Sequence, residues 1–300
     1  MEKSERENYR GAGKIAAKAL RIGCEEADEG VKLIDVARSI ENYIKEMDAN
    51  IAFPVNISIN EIAAHYTPGY NDERKFKSGD LVKLDVGAHI EGYIGDTARS
   101  FVTGVPKENE IELINCSQRA LNGALKAIRA GITLNEIGGI VENICRAQGF
   151  VSVRNLSGHS LEKFNLHSGI SVPNFANGDL TKIREGIAIA IEPFATDGKG
   201  MVTEKEYGNI YRYRYRQRGN NEHSQEDPLM EIIRSYRGLP FAERWLYDLE
   251  GKRVRAKMRR LVSKGILTGY RVLVEKKNGY VAQSEHTVLV NKHGCEVTTR

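Results

Sequence analysis

Four carboxylates and one imidazole in this 300-residue chain sit where such groups are expensive to keep. Asp85 and Asp96 stand eleven residues apart in the stretch from Leu81 to Thr103, LVKLDVGAHIEGYIGDTARSFVT. That stretch reads as a β-hairpin. Leu81 to Val86 is a Leu- and Val-rich strand, Gly87 and Gly92 bracket a polar reversal, and a second strand begins near Tyr93. Folding the arms together brings the two acids onto neighbouring strands, although acids in such a place also suit solvated turns. Glu192 closes the apolar run IAIAIE. Glu285 stands in the middle of the strand VAQSEHTVLV, and His159 in the strand-like VSVRNLSGHSLEKFNLHSG. A carboxylate centred in an apolar strand is costly unless paired or bound to metal. Gathered in one pocket these groups repel one another; as ligands they neutralise two divalent cations. An oxygen-rich set with a single nitrogen favours Mn, Fe or Co over a structural cysteine-type zinc site. Two such ions, roughly 3.5–4 Å apart, can share bridging carboxylates and a water. The water's pKa then falls toward neutrality, which gives a hydroxide able to attack an amide or ester carbonyl.

These residues need elements to hold them. Residues 5–22 read as a helix with Ala16, Ala17, Ala19 and Leu20 on its apolar side. A second helix spans about Leu33 to Met47, where Val36, Ile40 and Ile44 form one stripe. The run Ile51 to Tyr66 starts extended and ends on His65, a position where a lone histidine is ordinarily a hydrogen-bonded structural residue. Helices resume at about 109–129, with Gly131 as the stop. Thr133 to Glu136 spells a capping box ahead of Ile137, Ile140 and Ile144. Tyr270–Val274 and Val281–Val290 read as strands joined by a turn at Lys277-Asn278-Gly279. His89 is placed in the hairpin turn and His286 on the strand face away from Glu285; neither they nor His223 and His293 are assigned a role.

The chain also echoes itself. GVKLIDVARSIENYI from Gly30 aligns with GITLNEIGGIVENIC from Gly131 at a constant offset of 101. One further residue brings His65 onto His167. Gly79 precedes Asp85 by six residues, as Gly186 precedes Glu192. Two similar halves are expected, each with a helix pair, a histidine and a strand-borne acid, and ligand sites tend to lie where such halves meet.

Residues 200–267 interrupt this pattern. IYRYRYRQR (Ile210 to Arg218) alternates Tyr and Arg, so a strand would carry one on each face. Such a strand fits either a solvated edge or a basic, aromatic-backed surface for ribosomal RNA. Asp227-Pro228 opens short helices at about 228–237, 240–249 and 252–263. Together they read as a small helical insertion.

Composition bounds the rest. The apolar fraction is 41% and the charged fraction 28%, which is that of a globular chain. Forty-four basic residues against 40 acidic ones give +4, too balanced for a protein whose main partner is nucleic acid. No apolar run reaches the roughly 20 residues needed to span a bilayer, and the charged start MEKSERENYR has no signal-peptide core. The four cysteines are scattered with no CxxC, as in a reducing, cytoplasmic setting.

Taken in order, FPVNISINEIAAHYTP, KLDVGAHIEGYIGDTA, SGHSLEKFNLHSG, IAIEPFATDGKG, GLPFAERWL and YVAQSEHTVL cover nearly the whole chain, and the chain resembles the methionine aminopeptidases of type 2. The resemblance implies the α+β pita-bread fold: two pseudo-symmetric halves around a curved antiparallel sheet. Residues 1–199 and 268–300 would form the catalytic domain, and 200–267 the helical insertion that marks type 2. It implies two divalent ions (Co, Mn, Fe or Zn) held by Asp85, Asp96, His159, Glu192 and Glu285. Asp96 and Glu285 would bridge them, and Glu192 would double as proton shuttle. His65 and His167 would contact substrate, and His65 would be the residue alkylated by fumagillin-type epoxides. Phe53, Leu166, Phe194 and Tyr270 would line or approach the methionine pocket. The implied reaction is removal of the N-terminal methionine from nascent chains with a small second residue, by attack of a dimetal-bound hydroxide on the first peptide bond. A cytoplasmic monomer of the short, archaeal-like form is expected, with nascent polypeptides and the ribosome near its exit tunnel as partners and no membrane. Two alternatives share the fold. A prolidase or aminopeptidase P carries a further N-terminal domain, which a first ligand at residue 85 disfavours; a non-catalytic binding protein would have lost ligands.

Overall fold

The computed structural model describes residues 1–214 and 228–300. Its first half opens with helices α1 (Lys3–Glu26) and α2 (Leu33–Glu46), followed by strands β1 (Asn50–Ile59), β2 (Ile62–Ala64), β3 (Leu81–Ile90) and β4 (Tyr93–Val102). β3 is buried on both faces, and parity divides its work. Val82, Leu84, Val86 and Ala88 face the helices and share a core with Ala16 and Leu20 of α1 and Val36, Ile40 and Ile44 of α2. Lys83, Asp85, Gly87 and His89 face the other way. α1 can lie flat on the sheet because its contact residues are small. A Cβ on Gly95 of β4 would stand 2.5 Å from the Cα of Gly13, so helix and strand touch backbone to backbone. Gly95→Ala is therefore expected to cost about 1–3 kcal/mol through overpacking, read as a lowered midpoint in thermal melting. An unchanged midpoint would show a looser contact.

The second half repeats the plan with α3 (Glu108–Ala127), α4 (Leu134–Ala147), β5 (Val151–Ser152), β6 (Ser157–Leu161), β7 (Ser171–Pro173), β8 (Ala188–Ile191) and β9 (Phe194–Thr196). α4 is capped as its sequence requires: Glu136 N donates to Thr133 Oγ1 at 3.2 Å, and Thr133 N to Glu136 Oε2 at 2.8 Å. The duplication extends to individual hydrogen bonds. Gly30, Leu33 and Phe76 donate to Phe76, Arg74 and Val31; Gly131, Leu134 and Ile183 donate to Ile183, Thr181 and Ile132. Gly30 and Gly131 open the two helices from left-handed turns, at φ +85° and +90°.

From residue 200 the chain continues through β10 (Val202–Tyr213), α5 (Pro228–Ser235), β11 (Phe241–Ala242), a 3₁₀ turn at Glu243–Leu246, α6 (Tyr247–Glu250) and α7 (Val254–Ser263). Tyr211, Leu229, Ile233, Phe241, Leu246, Val254, Met258 and Leu267 form a core of their own. The helix expected at 240–249 is replaced by β11, the 3₁₀ turn and α6, because Phe241 and Ala242 pair with Tyr211 and Ile210. Tyr211 is buried and Arg214 exposed; Tyr215, Arg216 and His223 lie outside the described residues.

The chain closes with β12 (Leu267–Glu275), β13 (Val281–Gln283), β14 (His286–Val290) and β15 (Cys295–Val297). The strands form four ladders, β1-β3-β4, β11-β10-β12-β2, β13-β9-β5 and β15-β14-β8-β6-β7, with every pair antiparallel. VAQSEHTVLV is not one strand. It breaks at Ser284-Glu285, where Ser284 bridges to Arg99 and Glu285 N donates to Ala98 O at 3.0 Å. The break carries the chain from the ladder of β9 to that of β8, alongside β4 of the first half. His89 also departs from expectation. It lies in β3 opposite Ile94, and Glu91 and Gly92, both at positive φ, make the turn. Its Nδ1 accepts from Gly92 N at 3.2 Å.

Candidate metal centre

Antiparallel register decides where the two aspartates point. Asp85 pairs with Ala98 and Gly87 with Asp96, so both acids stand on one face as diagonal neighbours. The Phe53 ring fills the place a side chain at Gly87 would take, since a Cβ there would meet that ring at 2.1 Å. β14 of the second half then crosses the end of this hairpin. Thr287 Oγ1 accepts from Asp96 N and donates to Asp96 O, both at 2.8 Å, while Thr97 Oγ1 donates to Glu285 O at 2.9 Å. These reciprocal bonds lock Asp96 and Glu285 side by side. His159 enters from β6, paired between Ala190 of β8 and Ser171 of β7, and Glu192 follows β8 directly.

All five expected ligands meet here. Side-chain atoms of Asp96, His159 and Glu285 lie within 4.8 Å of one another. His159 Nε2 is 3.5 Å from Glu192 Oε1 and 3.6 Å from Asp96 Oδ2. Asp85 joins through a residue that sequence reading missed. Gln283 Nε2 lies 3.5 Å from Asp85 Oδ2, 3.4 Å from Glu192 Oε2 and 3.1 Å from Glu285 Oε2. Its spacing of two from Glu285 was the available signal. Asn56, which pairs with Asp85 from β1, was missed too.

Electrostatics make this cluster unstable alone. Burial pushes Asp85 up to about 7. Asp96, Glu192 and Glu285 are pushed well above the usual carboxylate range, by burial first and second by neighbouring acids: Asp85 for Asp96, and Asp96 for Glu192 and Glu285. Burial, then His167, depress His159 to about 3, so its contacts to carboxylates are those of a neutral ring. Asp85 Oδ1, Asp96 Oδ1 and His159 Nδ1 are buried without a hydrogen-bond partner. Four acids, a neutral imidazole and unpartnered oxygens in one place fit divalent cations, which would supply the missing charge and partners.

Of the two further histidines, His167 borders the cluster. The His167 ring lies 4.3 Å from the His159 ring. His65 meets the Tyr270 ring edge-on at 5.2 Å, and both line a cavity of about 590 Å³. Burial depresses both histidines to about 4, with His167 adding to the effect on His65. Phe53 and Leu166 share an apolar cluster with Leu239. Phe194 does not join them; it packs with Ala63, Val153, Val202 and Val281.

A curved antiparallel sheet of two related halves with a carboxylate–histidine cluster in its seam defines a metallopeptidase class, and the chain belongs to metallopeptidase family M24, which it matches over residues 7–292. Within that family it is 44% identical over 298 residues to the methionine aminopeptidase of Thermococcus onnurineus, covering 98% of this chain and 99% of the other. The solved structure of methionine aminopeptidase from Thermotoga maritima superposes with a TM-score of 0.75 at 25% identity, covering 100% and 98%. Prolidase from Pyrococcus furiosus gives 0.64 at 20% identity, covering all of this chain and 64% of that one. That last likeness shows the fold alone and lends X-Pro hydrolysis no support. The pita-bread fold is the one expected, and the protein is a metal-dependent hydrolase.

Proposed function

We propose that this chain removes the N-terminal methionine from polypeptides whose second residue is small. Convergence of Asp85, Asp96, His159, Glu192 and Glu285 on one buried spot carries the reading, in a chain similar to methionine aminopeptidases over nearly its full length. Two divalent ions, Co, Mn, Fe or Zn, would be held there by these five side chains. The chemistry such ions would supply is Lewis acidity, which makes a water more acidic and a carbonyl more electrophilic. Glu192 would take a proton from the attacking water at its carboxylate and return it to the nitrogen of the departing peptide as the C–N bond breaks. Gln283 orients Glu192 and Glu285. His65 and His167, neutral at working pH, donate N–H groups to the reacting amide, which helps to the extent that these bonds strengthen in the transition state. Phe53, Leu166 and Tyr270 bound the methionine side chain, and the buried Phe194 supports the wall behind them.

Among the described residues no helix is long and apolar enough to cross a membrane. A cytoplasmic monomer that meets nascent chains at the ribosome is part of the same proposal. The exposed Arg253, Arg259, Arg260 and Lys264 on and beside α7 offer a cationic face there.

The test is peptide hydrolysis. Chelated protein should not cleave Met-Ala-Ser, and Mn, Fe, Co or Zn restored singly should return activity. Met-Lys and Ala-Ala-Ser should be cut poorly. Equal rates on Ala- and Met-initiated peptides would sink the specificity, and a folded protein inactive with every metal would favour a binding role.

A further inference from the structure

We infer that a buried ion pair outside the metal centre, Glu41 with Arg244, is the device that positions His65; this rests on the substrate role proposed for His65 above. Glu41 stands on α2 and Arg244 in the 3₁₀ turn after β11, and both are buried, at 4% and 6% exposure. Arg244 Nη2 donates to Glu41 Oε1, and Trp245 Nε1 to Glu41 Oε2 at 2.9 Å. Such a pair is a weak source of net stability, because desolvation cancels most of its attraction.

What the pair has is reach. Arg244 Nη1 donates to Thr67 Oγ1 at 2.7 Å and to Pro68 O at 3.0 Å. Thr67 Oγ1 donates on to Val55 O at 2.6 Å, and Val55 N donates to Glu41 Oε1 at 3.4 Å. The ring of bonds closes on the segment that immediately follows His65. That histidine holds φ +64°, a left-handed conformation that a side-chain-bearing residue keeps only when its surroundings over-determine it. Upstream, Ala64 is fixed by pairing with Leu273. Alongside, the His65 carbonyl presses on Gly208, where a Cβ would stand 1.8 Å from it. Downstream, Ile57 N donates to Tyr66 O at 2.8 Å and Thr67 N to Gly208 O at 3.4 Å, and the guanidinium adds the restraint on the Thr67 side chain and the Pro68 carbonyl. Arg244 comes from the section beyond residue 200 and Glu41 from the first helix pair. The insertion therefore bears on the chemistry through His65, without touching the acids.

The experiment replaces both charges together, Glu41→Met with Arg244→Met, which keeps bulk and leaves no orphan charge. The double variant should melt within a few degrees of the parent and bind Mn as the parent does. Its kcat on Met-Ala-Ser should fall about 10- to 100-fold with KM within about twofold. Alkylation of His65 by a fumagillin-type epoxide, followed by mass spectrometry, should slow by a similar factor. Thr67→Val removes the hydrogen bond and no charge, and should shift both rates the same way by about 3- to 10-fold. Parental kcat and alkylation rate in the double variant overturn the inference and leave the pair a structural contact. Should that variant not fold, an unchanged alkylation rate in Thr67→Val overturns it instead. Failure of the parent to cleave Met-Ala-Ser would defeat the proposed function, while the alkylation rates would still decide whether the pair places His65.

Discussion

Glu192→Gln, assayed at saturating metal, is expected to lower kcat on Met-Ala-Ser by about 10³-fold or more while the protein stays folded and KM changes little. Two losses combine. The amide keeps the hydrogen-bonding reach toward Gln283 and His159 but cannot accept and return a proton, a function worth roughly 10²–10⁴ in rate. It is also a poorer ligand than a carboxylate, which weakens metal affinity. Metal titration separates the two. If excess metal restores full turnover, Glu192 is a ligand only, and the proton must travel through another group. If the deficit persists in the loaded protein, the shuttle assignment stands. The same argument predicts that kcat, rather than KM, carries the effect, because the proton moves only after substrate is bound.

The second large effect concerns the metal-free protein, whose stability should fall as pH rises while that of the metal-loaded protein does not. Asp85 ionises near 3.8 when unfolded and at about 7 when buried in the fold. A group with a raised folded pKa binds its proton more tightly in the native state. Its stabilisation is present below the unfolded value and is lost as pH rises through the folded one. A gap of about three units is on the order of 4 kcal/mol. Asp96, Glu192 and Glu285 are shifted the same way and add to the loss. The histidines act oppositely. His65 and His167, depressed to about 4, and His159, to about 3, give stability present above 6.5 and lost as pH falls through those values. Above pH 6.5 the histidines no longer oppose the acids, so thermal melting of chelated protein should drop between pH 6.5 and 8.5. Adding Mn should remove that slope, and Glu285→Gln should flatten it without metal while abolishing activity. A flat profile for the chelated parent would mean the acids do not share one buried space.

Much of this was legible in the sequence because the costs are local. An acid in an apolar strand announces itself, as Glu192 and Glu285 do, and the hairpin between Leu81 and Thr103 put Asp85 beside Asp96. The helix pairs followed from periodicity and the Thr133 cap, and the 101-residue echo gave the two halves. What was not legible depended on contacts distant in the chain. Ser284-Glu285 breaks its strand only because Ala98 and Arg99 arrive alongside. Phe241 leaves the helical pattern because it meets Tyr211, thirty residues earlier. His89 reads as turn because Gly87 and Gly92 bracket it, whereas β3 runs on past Gly87 to Ile90 and only Glu91 and Gly92 make the reversal. Gln283 is an unremarkable amide until three carboxylates surround it.

The order in which the ligands appear along the chain has a consequence for synthesis. Asp85 and Asp96 emerge early, on a hairpin whose core is largely supplied by α1, α2 and β1. Glu285, which sits beside Asp96 at the seam, is translated some 200 residues after Asp85. At typical elongation rates of about 5–20 residues per second, the first two acids wait roughly 10–40 s for their last partner. During that interval they face solvent in an open half-sheet, where their charge is cheap to hold. Closure of the seam by β14 is then the event that raises their pKa values and creates the demand for metal, so metal capture belongs to the end of folding and not to its beginning.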